Sequence, residues 1–362
     1  MGGVETHCEE LLPRIAALSP ELSLEVLGRK GFVPPGISDH RGVGVRGLPA
    51  PSRASTEAIV STLLAVLHAR SRARVVHIHA IGPALLAPLA RLLGLRVVVT
   101  HHGTDYDRAK WGGFAKAMLR LGERVGVRWA HQVIAVAPSL AERLRERFPE
   151  QAGAIHFIPN GAPQLPEERS AEAVLDQFRL RPKDYVLTVG RLVPEKGFDY
   201  LIRAFHQSGD CRKLVIVGSD IHDSGYSDTL RQQAGDSVRF LGSQPRSVLR
   251  RLYEQADLFV LPSFHEGLPI SALEAASCGV PMLLSDIPAN LDVGLGATNY
   301  FTTGDEGELA ACLRRPGADF VYDVDRIRKA FDWDRIAEQT LAIYRKVAER
   351  AANQVGGAPS HQ

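Results

Sequence analysis

Short runs of β-branched and aliphatic residues alternate with longer amphipathic stretches along most of the chain. Their apolar residues are continuous, which is typical of parallel strands buried on both faces of a sheet. Eight such runs predict strands at 75–78, 96–100, 132–136, 185–189, 213–217, 237–241, 257–261 and 280–284. Most of them precede a loop and a helical pattern. The chain therefore predicts an α/β fold of two successive doubly wound units.

A turn-rich segment at residues 159–168 separates the two series of strands. It contains Pro159, Pro163 and Pro166 with Gly161, a composition typical of a linker. We place a hinge there and predict an N-terminal domain over 1–163 and a C-terminal domain over 164–333. A single eightfold barrel would fit the number of strands, but this segment argues against it.

The first helical pattern begins at about Gly3 with no strand before it, and it places Glu5, Cys8, Leu11, Leu12 and Ile15 on one face. A doubly wound unit normally starts with a strand that leads into a glycine turn. We therefore expect that the first strand is missing through truncation; a sheet built without it is the alternative. At the other end, residues 353–362 are rich in Gly, Ala and polar residues, which predicts a disordered tail.

Composition excludes several classes of protein. The most apolar stretch, residues 75–90, is interrupted by histidines and prolines, so it does not predict a spanning helix. The start of the chain does not resemble a signal peptide, which favours a cytoplasmic protein. The four cysteines have no paired spacing and are expected to be free thiols rather than zinc ligands or disulfides. No nucleic-acid-binding motif is present.

The near-neutral total charge hides an asymmetry. Residues 1–165 carry 20 Lys and Arg against 13 Asp and Glu, whereas residues 166–362 carry 23 against 28. In the basic half, one helical pattern repeats Lys116, Arg120, Arg124 and Arg128 among the apolar residues Trp111, Phe114, Met118, Leu119 and Trp129. Such a helix suits peripheral contact with anionic lipid. A solvated face, with pairs such as Arg120 to Glu123, is the alternative.

Residues 262–276 are the most informative stretch for chemistry, because they follow a strand and open a helix. Glu266 falls in the loop, at the carboxyl end of the strand where open α/β sheets bind ligands. The backbone amides from Gly267 and Leu268 to Ile270 form a helix N-terminus that attracts phosphate, and Pro269 suits an early helical position. Glu274 lies further along the helix, where it suits a ribose diol. Helix capping by Glu266 and solvation of Glu274 are equally good explanations from spacing alone.

Glu266-x7-Glu274, followed by Ala275-Ala276-x-x-Gly279-Val280-Pro281, resembles the signature of glycosyltransferase family 4, which has the GT-B fold. Three other segments are similar to that family. They are residues 189–197 with Arg191 and Lys196, the start Gly2-Gly3-Val4-Glu5, and Trp333-Asp334 with Tyr344-Arg345. The resemblance implies two Rossmann-like domains that face a cleft, and a C-terminal helix over 334–352 that crosses back to the N-domain.

The resemblance also implies the roles of residues. Arg191 and Lys196 would hold the donor diphosphate, Gly2 and Gly3 would face it, Glu266 would hold sugar hydroxyls and Glu274 the ribose. Stabilisation of the leaving diphosphate by these two cations needs no metal. Surface ion pairs with Glu195 or Asp199 are the alternative for an isolated Arg-x4-Lys.

Two further sets of residues follow strands. In Thr100-His101-His102-Gly103, His102 matches the family's histidine beneath the donor sugar, and we expect His101 to be structural. Gly218 and Ser243 each follow a strand and would line the nucleotide base pocket, although ordinary loop chemistry explains them nearly as well. Asp105-Tyr106-Asp107 spells a metal-binding Asp-x-Asp, but the same spacing recurs at 323–325 and 332–334, so we expect no metal site.

The resemblance implies a retaining glycosyltransferase that moves a hexose-type sugar from a nucleotide-diphosphate-sugar to a polysaccharide or lipid-linked glycan. The region from Trp111 to Glu123 and the Gly-Gly-Val-Glu start resemble a bacterial surface-polysaccharide branch of the family, which includes galactosyl- and rhamnosyltransferases of lipopolysaccharide and exopolysaccharide synthesis. We expect no cofactor and a location in the cytoplasm or on the inner face of the plasma membrane. Another GT-B enzyme, such as an epimerase or glucan synthase, and a non-catalytic nucleotide-sugar-binding protein are the alternatives.

Overall fold

The computed structural model describes residues 3–29, 33, 38–49, 54–107, 112–167, 169–220 and 225–355. The chain forms two compact units. Unit 1 contains Met1–Asn160 together with Trp333–Gln362, and unit 2 contains Gly161–Asp332. The chain passes from unit 1 to unit 2 within the turn-rich segment 159–168. The boundary follows residue 160, whereas the sequence predicts it after residue 163.

Unit 1 consists of two sheets and the helices that cover them. Its helices are α1 (Gly3–Leu18), α2 (Ala54–Ala69), α3 (Ala87–Leu92), α4 (Gly113–Trp129), α5 (Pro138–Arg147) and α14 (Trp333–Val355). Its strands are β1 (Glu25–Arg29), β2 (Asp39–His40), β3 (Val43–Leu48), β4 (Val75–His79), β5 (Arg96–His101), β6 (Gln132–Ala135) and β7 (Ile155–Phe157). One sheet has the order β1-β3-β2 and the other is a parallel sheet of order β4-β5-β6-β7.

The core of unit 1 joins the two ends of the chain. Leu11 and Ile15 of α1 are fully buried against Val98 of β5 and Trp333 of α14. The C-terminal helix thus packs on α1 and on the central sheet of unit 1. The predicted return of this helix to the N-terminal domain is confirmed, because its apolar side is buried there.

Unit 2 is a doubly wound domain around one six-stranded parallel sheet. Its strands are β8 (Tyr185–Val189), β9 (Lys213–Val217), β10 (Val238–Phe240), β11 (Leu258–Leu261), β12 (Met282–Ser285) and β13 (Tyr300–Phe301), in the order β10-β9-β8-β11-β12-β13. Its helices are α6 (Ala171–Phe178), α7 (Phe198–Ser208), α8 (Tyr226–Ala234), α9 (Arg246–Gln255), α10 (Ile270–Cys278), α11 (Pro288–Leu291), α12 (Glu306–Leu313) and α13 (Val324–Ala330). Phe198, Leu201 and Phe205 of α7 pack on the central strands.

The predicted α/β fold is confirmed, and the barrel alternative is wrong because the strands form separate open sheets. All eight predicted strands are present. Strands β1, β2, β3, β7 and β13 were not predicted, because they are short or only half-buried. Glu5, predicted on the apolar face of the first helix, is exposed. His7, one helical turn before Leu11, is buried on that face instead.

Among the residues described, the first element is α1, with no strand before it. At the other end, α14 extends to Val355, so residues 353–355 of the predicted disordered tail are helical and the rest lie outside the described residues. None of the helices in the described part of the chain is long and apolar enough to cross a membrane.

Candidate functional site

Three glycine turns lie together at the carboxyl ends of β8, β9 and β10. The amide of Gly190 donates to Val217 O and the amide of Gly218 donates to Gly242 O, each at 2.9 Å. Gly218 has a φ of +150°, and a Cβ there would lie 1.8 Å from the carbonyl oxygen of Gly190. Only glycine fits at this position, so the loops after β8 and β9 can approach each other closely.

Ser243 lies in the turn after β10, beside those glycines. Its exposed hydroxyl donates to Ser219 Oγ at 2.8 Å, which ties the turn after β10 to the turn after β9. The structure therefore brings Gly218 and Ser243 to one edge of the sheet, together with the loop that carries Arg191.

The loop after β8 packs on the loop after β11. A short 3-10 turn, Pro194–Lys196, ends at Gly197, whose φ is +67° and whose Cβ would lie 2.3 Å from Pro262 O. The amide of Phe264 donates to Glu195 O at 2.9 Å. This close backbone approach brings together two segments that are about seventy residues apart in the sequence.

Lys196 and Glu266 form an ion pair where these loops meet. Lys196 Nζ lies 2.5 Å from Glu266 Oε1, and the side chains are only 13% and 10% exposed. The hydroxyl of Ser263 donates to the same carboxylate oxygen at 2.7 Å. Glu266 is therefore held as an oriented carboxylate.

The simpler explanations that the sequence left open for these two residues are wrong. Helix α10 has Pro269 at its N-cap and no side-chain cap, so Glu266 does not cap it. Lys196 pairs with Glu266 rather than with Glu195 or Asp199, because Asp199 binds Arg203 and Tyr226. Pro269 thus precedes the first helical residue instead of occupying it.

Arg191 directly follows Gly190 and is half-buried. Within the part of the chain that the structure describes, its guanidinium has no ion-pair partner. The backbone N–H of the next residue, Leu192, donates a hydrogen bond to Ser219 O at 3.2 Å. A cation without a carboxylate partner, at the carboxyl end of a parallel sheet, is suited to an anionic ligand.

The start of α10 adds backbone donors to this edge. Gly267 is half-buried, whereas the side chain of Leu268 is buried in the core, so Leu268 can offer a ligand only its backbone. The amides in the first turn of a helix lack intrahelical acceptors and favour phosphate.

Glu274, one turn into α10, has a partner that was not predicted from the sequence. The hydroxyl of Tyr253 in α9 donates to Glu274 Oε2 at 3.1 Å and lies 3.3 Å from Ser271 O. Tyr253 is fully buried, and burial together with the negative charge of Glu274 raises its pKa well above the ordinary range. The Glu274 carboxylate is thus half-buried and oriented, not simply solvated.

In unit 1, His102 belongs to a group of histidines. His102 Nε2 lies 3.1 Å from His79 Nδ1, and the His7 ring contacts both at centroid distances of 5.0 and 5.4 Å. Burial and the neighbouring imidazoles hold the pKa values of His79 and His102 well below their usual range. His7 is also buried, which lowers its pKa to about 4 against the effect of its bond to Asn160. These rings are neutral at pH 7.

His101 and His102 have different environments although they are adjacent. His101 is fully buried, its Nδ1 accepts from the Gly103 amide and its Nε2 lies 3.0 Å from Glu123 Oε1. Both of its nitrogens are therefore engaged inside unit 1. Glu123 also binds Tyr106 and Arg147, so it does not belong to the exposed face of α4.

Three sequence predictions fall elsewhere. Gly2 and Trp111 lie outside the described residues, and Gly3 is the first residue of α1. Asp105 and Asp107 flank the buried Tyr106 in a 3-10 turn, and Asp107 lies 3.9 Å from Arg143. Among the residues described, these two carboxylates belong to no group of three ligand-type side chains.

The exposed side of α4 combines apolar and basic residues. Phe114 is 82% exposed, and Leu121 and Trp129 are also exposed. Arg120 lies over the Tyr106 ring at 5.2 Å, Arg124 is exposed, and Arg128 pairs with Glu150. Lys116 and Met118 are half-buried, so the basic stripe of the sequence is only partly exposed.

Comparisons with known proteins agree with this architecture. Residues 1–163 match the family described as Glycosyltransferase Family 4, and residues 175–301 match Glycosyl transferases group 1. The chain is 28% identical to alpha-maltose-1-phosphate synthase of Mycobacterium tuberculosis over 96% of both chains. It is 31% identical to an uncharacterized glycosyltransferase of Methanocaldococcus jannaschii over 73% of this chain and 72% of that one.

Solved structures show the same fold at lower identity. Sucrose-phosphate synthase from Thermosynechococcus elongatus superposes with a TM-score of 0.80 at 22% identity, covering 96% of this chain and 94% of that one. The Anabaena protein HepE in complex with UDP-glucose gives a TM-score of 0.72 at 18% identity, over 98% and 96% of the two chains.

Proposed function

The chain belongs to the family 4 glycosyltransferases with the GT-B fold, and from this premise we propose its reaction. It transfers a hexose-type sugar from a nucleotide-diphosphate-sugar to a polysaccharide or lipid-linked glycan, with retention of anomeric configuration. One observation carries the proposal. The half-buried Lys196–Glu266 ion pair lies in the loops that follow β8 and β11, and Arg191, without an ion-pair partner in the described chain, lies in the first of them.

These residues suit the charges of the reaction. Negative charge grows on the diphosphate as its bond to the sugar breaks, and fixed cations stabilise that charge. In our proposal Arg191 binds the diphosphate as a planar fork and Lys196 contributes a point charge, without a metal ion. The backbone N–H groups of Gly267 and Leu268, just before α10, and of Ile270 at its start add donors around Pro269, which itself has no N–H.

The carboxylates bind the neutral parts of the donor. Glu266 accepts from sugar hydroxyls while Lys196 and Ser263 hold it oriented. Glu274 accepts from the ribose diol, and Tyr253 fixes its orientation. The turns at Gly218 and Ser243 bind the base through backbone groups.

In unit 1, we assign His102 to the sugar and Gly2 and Gly3 to the donor phosphates. A neutral imidazole can donate one hydrogen bond and accept another, which suits sugar hydroxyls. Retention needs no protein nucleophile when the leaving phosphate assists attack from the same face. The Anabaena protein HepE, which has the same fold and was solved in complex with UDP-glucose, supports a nucleotide-sugar donor.

The test is a transfer assay with UDP-, ADP-, GDP- and dTDP-sugars against polysaccharide and lipid-linked acceptors. We expect one donor to release nucleoside diphosphate in an acceptor-dependent way, and NMR of the product to show the donor's anomeric configuration. Free sugar without an acceptor would indicate an epimerase or hydrolase. Nucleotide binding without turnover for any acceptor would indicate a binding protein, and either result would contradict the proposal.

We also propose that the exposed face of α4 makes peripheral contact with anionic lipid on the cytoplasmic side of the plasma membrane. Exposed Phe114, Leu121 and Trp129 beside Arg120 and Arg124 support this proposal, because such side chains insert into and neutralise a lipid surface. We expect liposomes with anionic lipid to sediment the protein at low salt but not at high salt. Phe114→Ala with Arg124→Ala should weaken the binding, and no sedimentation at low salt would refute the contact.

A further inference from the structure

Three histidines from separate segments of unit 1 converge on one point. His7 lies in α1, His79 ends β4 and His102 follows β5, and one ring nitrogen from each lies within 4.8 Å of the others. We propose that these three imidazoles bind a single divalent transition-metal ion of the zinc class, with a fourth position left for water. Imidazole nitrogens favour such ions over Mg²⁺ or Ca²⁺, which prefer oxygen.

His7 is already oriented as a ligand. Its Nδ1 donates to Asn160 Oδ1 at 2.8 Å, so its lone pair is on Nε2. That Nε2 is buried and has no hydrogen-bond partner in the described chain. A ligating histidine typically donates its other nitrogen to an oxygen that fixes the ring, which is the role that Asn160 has here.

His79 and His102 have nearly the spacing of two ligands on one ion. His79 Nδ1 and His102 Nε2 are 3.1 Å apart, and two nitrogens on a tetrahedral zinc ion, each about 2.0–2.1 Å from it, are roughly 3.3 Å apart. In the metal-free protein one of these nitrogens donates to the other. When an ion binds, each ring keeps its single proton on the opposite nitrogen, and His79 Nε2 then faces Cys8 Sγ at 3.8 Å.

The other histidines nearby are unsuitable as ligands. The His77 ring lies tilted against that of His79, but its Nδ1 is 2.7 Å from the Tyr344 hydroxyl and its Nε2 is 2.6 Å from Thr100 Oγ1. His101 is occupied by Glu123 and Gly103. Among the residues that the structure describes, the ligand set therefore consists of His7, His79 and His102.

The consequence for activity rests on the proposed function. His102 is the residue assigned to the sugar, so an ion that binds it withdraws it from the substrate and inhibits transfer. Donor binding in unit 2 does not need this ion. Metal binding can be measured without any donor, so failure of the metal site and failure of the proposed function give different results.

The experiment uses the full untagged chain, stripped of metal by chelation and then titrated with Co²⁺ and Zn²⁺. We expect visible Co²⁺ absorption typical of a low-coordinate nitrogen site and one tightly bound Zn²⁺ per chain after dialysis, measured by elemental mass spectrometry. His7→Ala and His79→Ala should each weaken Zn²⁺ binding more than 100-fold. The exposed His206→Ala is the matched control and should bind as the wild type does.

Asn160→Ala provides a milder variant in case the histidine variants do not fold, as judged by circular dichroism. Because loss of the hydrogen-bond partner of a ligating histidine typically costs 10–100-fold in metal affinity, we expect a reduction of about tenfold. Absence of Co²⁺ absorption in the wild type would overturn the site. Equal Zn²⁺ affinity in the wild type and in whichever of these variants folds would overturn it as well.

Discussion

The two units contain candidate sites of opposite character. In unit 2, ionised side chains meet in loops at one edge of a parallel sheet, with Lys196 paired to Glu266 and Arg191 half-buried nearby. In unit 1, neutral imidazoles pack against one another, with His7, His79 and His102 held uncharged by burial. Fixed positive charges are suited to an anionic group such as a diphosphate. Neutral imidazole rings offer lone pairs and N–H donors, which suit hydroxyl groups or a metal ion.

The largest effect should come from removing the central cation of unit 2. Lys196→Ala should lower kcat/KM for the donor about 10²–10³-fold, which is the usual loss for one preorganised donor to a developing charge. Steady-state kinetics would measure it. Lys213→Ala, a lysine at the start of β9 whose amine only approaches a backbone oxygen, is the control and should leave the rate unchanged. A loss below tenfold for Lys196→Ala would show that the charged site is not where donor charge develops.

Whether histidine rings in unit 1 are held uncharged can also be tested at His131, which lies outside the histidine group of the proposed metal site. Its Nδ1 accepts from the Val97 amide at 3.0 Å, and burial with the charges of Arg91 and Arg96 lowers its pKa to about 4. An unfolded histidine has a pKa of about 6.5. Between these values the unfolded chain binds more protons, so stability falls as the pH drops from 6.5 towards 4.

We expect this residue to account for about 1 kcal/mol of the loss in unfolding free energy between pH 7 and pH 5, after allowing for its partial exposure. Denaturant unfolding of metal-free protein should show a smaller acid loss in His131→Gln than in the wild type. The exposed His206→Gln should match the wild type. Equal acid losses in wild type and His131→Gln would mean that this ring is not held neutral.

The smallest expected effect on kinetics comes from removing the hydroxyl that orients the Glu274 carboxylate in unit 2. Tyr253→Phe removes the hydroxyl that binds Glu274 and should raise the donor KM about fivefold, equivalent to ~1 kcal/mol, with little change in kcat. Tyr322→Phe removes another part-buried hydroxyl, bonded to Val280 O, and should change stability without changing KM. Identical kinetics in both variants would assign Tyr253 a purely structural role.

The two units also differ in how much of them could be predicted from the sequence. The strands of both central sheets are continuous apolar runs, so they were predictable, whereas β1 and β3 are half-buried with glycines at Gly28, Gly44 and Gly47 and carry a weak signal. The candidate site residues of unit 2 could be singled out because Arg191 and Lys196 lie in one loop and Glu266 and Glu274 in one segment, which form motifs that resemble those of the family. Spacing alone left their roles open.

Contacts between distant segments could not be predicted in this way. The Lys196–Glu266 ion pair depends on the close approach of Gly197 to Pro262, which no local pattern encodes. Tyr253 belongs to a different helix from Glu274. The histidines of unit 1 come from α1, β4 and the loop after β5, and of the three only His102 was a candidate from the sequence.

Binding of a nucleotide-diphosphate-sugar by the fixed charges of unit 2 can be measured directly. The experiment follows the melting temperature of the protein in EDTA with UDP-, ADP-, GDP- and dTDP-sugars, for the wild type, Arg191→Ala and the exposed control Arg239→Ala. We predict that one donor raises the melting temperature of the wild type and of Arg239→Ala, and that Arg191→Ala loses this shift. An absence of any shift in the wild type, or an equal shift in Arg191→Ala, would contradict binding through these charges.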